Sequence, residues 1–345
     1  MKNHDHNMFL LFAIVLINSC APATPTPLSV PSNATRIQPA PDTPISSPTA
    51  CAKLPSAFTP AAGGLGSPDK PLTITFVPAG DTGLITKAGT TLADCMTQMT
   101  GLTYRIEVGT SYSASIESMG AGKAQVGFLN TFSVLLAQEK YGIETVLVNL
   151  RTDVTTGKLQ DYYQGQFIAN KAAGIKKIAD LRGKTFCFGD PTSTSGTIIP
   201  RIVLKANGID PDKDFKATQF AGSHNNVAIA VYKGDCDAGA TYVDVRTVPN
   251  VGLQKTFPDI LDKTEAFYIT DNIPNDGVQY IKDLDKKIKD LTTEALLAIA
   301  ANPDTNDFLR KLYSIEGFIK ITNDYYKPFG GLLKKAGVDP ATLVK

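Results

Sequence analysis

The chain has 345 residues, 43% of them hydrophobic, and its 34 basic and 33 acidic side chains nearly cancel to a net charge of +1. That length supports two modest domains or one large one. The charge balance, with no long like-charge run, excludes nucleic acid as the main partner, because a phosphate backbone needs clustered Lys and Arg. A small anion is not excluded, since backbone N–H groups and hydroxyls can hold one without a net positive patch.

The first element along the chain is an export signal. Residues Met8 to Ile17 are apolar without a break, too short a run to span a bilayer and the right length for a signal-peptide core. The run closes on Ile17-Asn18-Ser19-Cys20, which resembles a lipoprotein signal in which Cys20 is lipidated and becomes the mature N-terminus. Residues 21–50 are dominated by Pro, Ser, Thr and Ala. Such a segment reads as an extended tether, since it buries too little apolar area to fold, and folding is expected to begin at Pro71, giving a tether over 21–70. The chain is therefore expected outside the cytoplasm, held to the membrane through lipid alone.

From Pro71 strands and helices alternate. Leu72–Pro78 reads as a buried strand, Thr90–Thr100 as a helix stopped at Gly101, Tyr104–Val108 as a strand and Tyr112–Gly120 as a short helix. Ala124–Leu129, the helix Phe132–Tyr141 and the strand Thr145–Leu150 follow. The pattern restarts at Gln166–Asn170, then a short helix and turn over 177–184, strand Thr185–Phe188, helix Gly196–Asn207, strand Phe215–Phe220, helix Asn225–Lys233 and strand Ala238–Tyr242. Glu265–Thr270 reads as a strand that returns to the first lobe, and Leu284–Ala301, Asp304–Tyr313 and Tyr325–Gly337 as outer helices. The alternation predicts parallel sheets with crossover helices. It divides the chain into one lobe from 71–165 and 265–345 and a second from 166–264, with a ligand cleft at the strand C-terminal ends.

With Cys20 lipidated, Cys51, Cys95, Cys187 and Cys236 are left, an even number that favours disulfides in an exported protein. Four cysteines allow three pairings. The two-lobe layout favours Cys51–Cys95 and Cys187–Cys236, each within one lobe. The spacings match no zinc pattern, so neither a metal nor a cofactor is expected.

The most informative stretch is Gly189-Asp190-Pro191-Thr192-Ser193-Thr194-Ser195-Gly196, between a strand and a helix. It places the hydroxyls of Ser193, Thr194 and Ser195 and free N–H groups at a helix N-terminus, where unpaired donors and a partial positive charge favour an anion. Ala221-Gly222-Ser223-His224 also follows a strand and opens a helix, Asp244 sits just past another strand, and Ile273-Pro274-Asn275-Asp276 follows a fourth. Taken singly, each of these is equally well read as a cap or a turn.

Together and in this order they resemble the phosphate/phosphite/phosphonate-binding proteins of ABC importers. The loop at 189–196 is similar to that family's signature loop. Ser111–Met119 resembles its tyrosine-led helix, Ala221-Gly222-Ser223-His224 its Ala-Gly-His turn with a serine inserted, and Ile273–Asp276 its Ile-Pro-x-Asp turn. The resemblance covers roughly residues 70–335 and implies a type II periplasmic-binding-protein fold, with two α/β lobes, a hinge and an interlobe cleft. It implies as ligand residues Tyr112, Tyr163, Ser193, Thr194, Ser195, His224, Asp244 and Asp276, with Asp244 shorter than the glutamate found near that position in the family. It further implies a monomer that captures a phosphonate- or phosphite-type oxyanion and delivers it to an ABC permease and ATPase. Two other classes compete with this one. A sensory module would present the same pocket to a membrane kinase. An enzyme acting on a phosphonate ester would use Ser193 or Ser195 with His224 as base.

Overall fold

The computed structural model describes residues 51–153, 156–249 and 251–340. The signal, Cys20 and residues 21–50 of the tether lie outside the described residues. The strands, in chain order, are β1 Leu72–Phe76, β2 Tyr104–Val108, β3 Val126–Leu129, β4 Glu144–Thr152, β5 Leu159–Gln160, β6 Tyr162–Asn170, β7 Thr185–Phe188, β8 Ala217–Phe220, β9 Ala238–Tyr242, β10 Thr264–Pro274, β11 Gly277–Tyr280 and β12 Gly317–Lys320.

They form two sheets. The first has the order β12-β4-β11-β3-β1-β2, with β5 on the side of β4, and the second the order β10-β6-β9-β7-β8. β1 runs parallel to β2 and β3, and β7 parallel to β8 and β9. Both central stretches are built by crossover helices, which parallel neighbours require. All five side chains of β1 are buried, as expected for a strand covered on both faces. In β7, Phe186 and Phe188 enter one core and Cys187 the opposite one, while Phe167 and Ile168 divide in the same way in β6. This is the two-residue period of a strand with helices on both sides.

Three sequence expectations change here. Glu265–Thr270 does not return to the first lobe: it lies inside β10, which pairs antiparallel with β6 in the second sheet. The return comes one turn later at β11, which inserts antiparallel between β3 and β4. A strand that arrives directly from another sheet needs no crossover helix, so both sheets are mixed rather than parallel. Residues 51–70 are not tether. The Leu54 N–H donates to the Met99 carbonyl at 2.8 Å and the Phe58 N–H to Thr100 at 3.1 Å. Leu54, Phe58 and Leu65 pack on the first core, and these apolar residues separate this stretch from the polar segment before it. Finally, β12 pairs with β4 at a sheet edge the sequence reading left empty.

The two passages between the sheets lie side by side. The Asn275 N–H donates to the Asp161 carbonyl at 2.8 Å, and its amide donates to the carbonyls of Asn149 at 2.9 Å and Gln160 at 3.0 Å. Tyr326 Oη donates to the Asn275 carbonyl at 2.6 Å. Residue 276 is thereby fixed at the base of the cleft.

Two disulfides are present: Cys51–Cys95 joins the start of the described chain to the helix Thr82–Thr100, and Cys187–Cys236 joins β7 to the turn before β9. Cys187 and Cys236 are 49 residues apart, so their link removes substantial loop entropy from the unfolded chain. Replacing both by Ser is expected to lower unfolding free energy by about 2–4 kcal/mol. Equilibrium denaturation of the variant against the native chain measures this.

Candidate ligand site

The cavity between the two sheets has a volume of about 50 Å3, several times the ~10–15 Å3 that one water needs. It suits a compact ligand. Its walls are the ends of strands and the starts of helices. Ala79 to Asp81 lead from β1 into the helix Thr82–Thr100, Tyr112 opens the helix Tyr112–Gly120, and Asn130 immediately precedes the helix Thr131–Tyr141. Across the cleft, Ser193, Thr194 and Ser195 follow β7, His224 follows β8 and Tyr242 ends β9. Arg151, Tyr163 and Asp276 line it near the crossing segments. Helix starts aimed at one volume bring unpaired N–H groups and positive dipole ends to it.

The loop at 189–196 takes its shape from two local features. Ser193 caps the following turn, its Oγ accepting from the Gly196 N–H at 3.2 Å. Pro200 has no N–H, so it cannot bond the Gly196 carbonyl as a helix would. That carbonyl instead accepts the Gly189 N–H at 3.0 Å, folding the loop back on the strand end. Residues 194–198 form a single π-turn before the regular helix Ile199–Ala206. Gly196 allows this contact: a Cβ there would lie 2.8 Å from Ser193 Oγ, 3.1 Å from His224 Cε1 and 3.2 Å from Gly189 Cα. Ser193, Thr194 and Ser195 are each about 1% exposed.

The lobes touch through this same loop. Asp190 accepts from the Thr192 N–H and hydroxyl, both at 2.8 Å, and from the Tyr112 N–H of the other lobe at 3.1 Å. Thr194 Oγ1 accepts from Asn130 Nδ2 and the Phe132 N–H, both at 2.9 Å. The His224 N–H donates to the Ala79 carbonyl at 3.1 Å. Thr194 is thus a clasp between lobes as well as a wall of the cavity.

The charged groups are few. Asp276 accepts from the Thr131 N–H at 3.3 Å and pairs with Arg151 at 3.3 Å. Burial pushes its carboxyl above the usual range, against the opposing pull of Arg151. The Arg151 guanidinium also lies 5.3 Å from the Tyr163 ring centroid, and its Nε is buried with no partner among the described residues. Burial drives the His224 imidazole down to about 3, with Arg151 adding to the effect. Its Nε2 lies 3.3 Å from Ser193 Oγ, its Nδ1 has no partner among the described residues, and the Tyr242 ring meets it edge-on at 5.0 Å. Tyr163 Oη reaches Ser195 Oγ at 3.4 Å.

Seven of the eight residues expected from the sequence therefore line one cavity: Tyr112, Tyr163, Ser193, Thr194, Ser195, His224 and Asp276. Asp244 does not. It bonds Arg246 Nε at 3.0 Å and Nη2 at 2.8 Å and the Gln166 amide at 2.9 Å. Burial would raise its carboxyl, but the Arg246 contacts outweigh burial and hold it below the usual range. An arginine two residues away satisfies it locally, and Tyr242 takes its place on the wall. Arg151 and Asn130 escaped the sequence reading. Asn130 follows β3 and Arg151 stands near the end of β4, and the partners that bring each into the site lie far along the chain.

A family model described as "ABC transporter, phosphonate, periplasmic substrate-binding protein" matches residues 74–326. Over 177 residues the chain is 27% identical to the phosphate-import protein PhnD of Mycolicibacterium smegmatis, covering 50% of this chain and 54% of that protein. Over 206 residues it is 26% identical to the phosphonates-binding periplasmic protein of Escherichia coli, covering 58% of each. The chain thus spans little more than half the length of these relatives. The solved structure of PhnD1 from Prochlorococcus marinus in complex with methylphosphonate aligns with a TM-score of 0.66 at 20% identity, over 77% of this chain and 98% of that one. The two share the two-lobed α/β fold.

The histidine makes stability depend on pH. The unfolded chain takes up the imidazole proton near 6.5, whereas the folded chain refuses it down to about 3. Unfolding therefore binds a proton in that window, and stability falls as pH drops through it. Replacing His224 by Gln is expected to flatten the slope of unfolding free energy between pH 6 and 4. Denaturation at stepped pH measures it.

Proposed function

Because the chain belongs to the family of periplasmic substrate-binding proteins of phosphonate ABC transporters, we propose that it is the extracytoplasmic solute-binding lipoprotein of an ABC importer. It captures a compact phosphorus oxyanion of the phosphonate or phosphite type and hands it to the permease and ATPase complex. Cys20 carries the lipid, residues 21–50 form the tether, and the protein acts as a monomer. The single observation that carries this reading is the run of buried hydroxyls Ser193, Thr194 and Ser195 at a helix start, facing Tyr112 and Asp276 of the other lobe. Hydroxyl and N–H donors on one side and a carboxylate on the other suit an oxyanion that bears a proton.

Capture follows from this division of the site. A ligand that bonds residues of both lobes binds the closed arrangement more tightly than the open one, and so shifts the protein toward it. The lobe contacts at Asp190 and Thr194 come from the loop that forms the hydroxyl cradle, so filling the cradle and closing the cleft are one event. The permease reads the closed form. Turnover is disfavoured by the chemistry of His224. Burial disfavours the imidazolium that a base at His224 would have to form, and among the described residues its Nδ1 has no partner to orient it.

Asp276 gives the selectivity against sulfate. A carboxylate accepts hydrogen bonds, and sulfate at neutral pH has no proton to offer, whereas phosphite, phosphate and methylphosphonate do. Calorimetry at pH 7 is expected to show methylphosphonate or phosphite binding at least ~100-fold tighter than sulfate. The pair Ser193→Ala plus Ser195→Ala removes two hydroxyls from a desolvated anion, each worth roughly 1.5–3 kcal/mol. Affinity is then expected to fall by about two to four orders of magnitude. Circular dichroism checks that the variant is folded, and unchanged binding by a folded variant would place the anion elsewhere.

A further inference from the structure

Arg151 stands on the cavity wall and is absent from the ligand set that the sequence pattern suggests. It sits near the end of β4, where β5 pairs with it: Arg151 lies opposite Gln160 in that ladder. Its side chain is 16% exposed, so the cation is largely withdrawn from water. One Nη pairs with Asp276 at 3.3 Å, the guanidinium carbon lies 5.3 Å from the Tyr163 ring centroid, and Nε is buried with no partner among the described residues. A largely buried guanidinium on a cavity wall is a receptor for an oxyanion oxygen.

Each carboxylate at or near the cavity already has a partner. Asp276 is already held by Arg151 and by Thr131. Asp244, the other carboxylate expected in the site, is outside the cavity and occupied by Arg246. At the cavity wall Asp81 accepts the Leu84 N–H at 2.8 Å, and Lys311, also on the wall, is paired with Asp307. An ammonium brought to Asp276 would therefore sit against the Arg151 guanidinium in a dry pocket, where like charges repel strongly.

Resting on the function proposed above, we infer that Arg151 makes this a site for compact phosphorus oxyanions without an amine, and that it excludes aminoalkylphosphonates. It binds a ligand oxygen directly and sets the sign of charge that the far end of the ligand can carry.

Calorimetry at pH 7 with phosphite, phosphate, methylphosphonate and 2-aminoethylphosphonate tests this on the native chain, Arg151→Met and Arg151→Lys. The native chain is expected to prefer the tightest amine-free ligand over 2-aminoethylphosphonate by at least ~100-fold, since like-charge juxtaposition at a binding site costs several factors of ten. Arg151→Met should weaken the amine-free ligand at least ~10-fold and narrow the ratio, whereas Arg151→Lys should keep the order of preference. Equal or tighter binding of 2-aminoethylphosphonate by the native chain overturns the inference while leaving the proposed function intact. An unchanged ratio in a folded Arg151→Met variant does the same. Binding of none of the four overturns both. If Arg151→Met fails to fold, the native ratio and Arg151→Lys alone decide.

Discussion

An anion removed from water has to be met by donors already in place, and in this protein those donors are supplied by helix starts. Everything else in the fold serves to aim them. Parallel strands β1, β2 and β3 in one sheet, and β7 and β8 in the other, each hand the chain to a helix at the same edge. The residues that follow each strand therefore meet in one small volume. Ser193 caps its turn and lines the cavity with the same side chain, and His224 opens a helix capped by Ser223. The capping chemistry that ends one element and begins the next is also the binding chemistry.

Charge in the site is nearly balanced, and this sets what it can hold. Arg151 and Asp276 neutralise each other, and His224 stays neutral because burial disfavours its protonated form. What is left for the ligand is a set of hydroxyl and N–H donors, one guanidinium and one carboxylate that accepts a hydrogen bond. Such a set discriminates by protonation and by shape more than by net charge. The clasp at Thr194, fed by Asn130 and the Phe132 N–H, ties the hydroxyl cradle to the other lobe.

Much of this was legible in the sequence because it is local. Strand-then-helix periodicity marks β1 to β3 and β7 to β9, and an unbroken run of Ser and Thr between glycines marks the cradle. What could not be read depends on partners far along the chain. Asn130 meets residues 62 and 64 positions away, and Arg151 meets Asp276 at a separation of 125. Only the folded sheet order brings these together. The return strand was misplaced for a similar reason: β10 and β11 are separated by two residues, and period alone does not say which sheet each joins. Asp244 is the opposite case. Its partner Arg246 is two residues away, and a local ion pair withdrew from the site a carboxylate that position alone had placed there.

The central claim is that one phosphorus oxyanion bridges the two lobes at the strand ends. A crystal structure grown with methylphosphonate tests it most directly. The phosphoryl group is expected within hydrogen-bonding distance of Ser193 or Ser195 on one side and of Arg151 or Asp276 on the other, with the Thr194 clasp closed. Density for the ligand outside this cavity, or contacts to one lobe only with the clasp open, would contradict it.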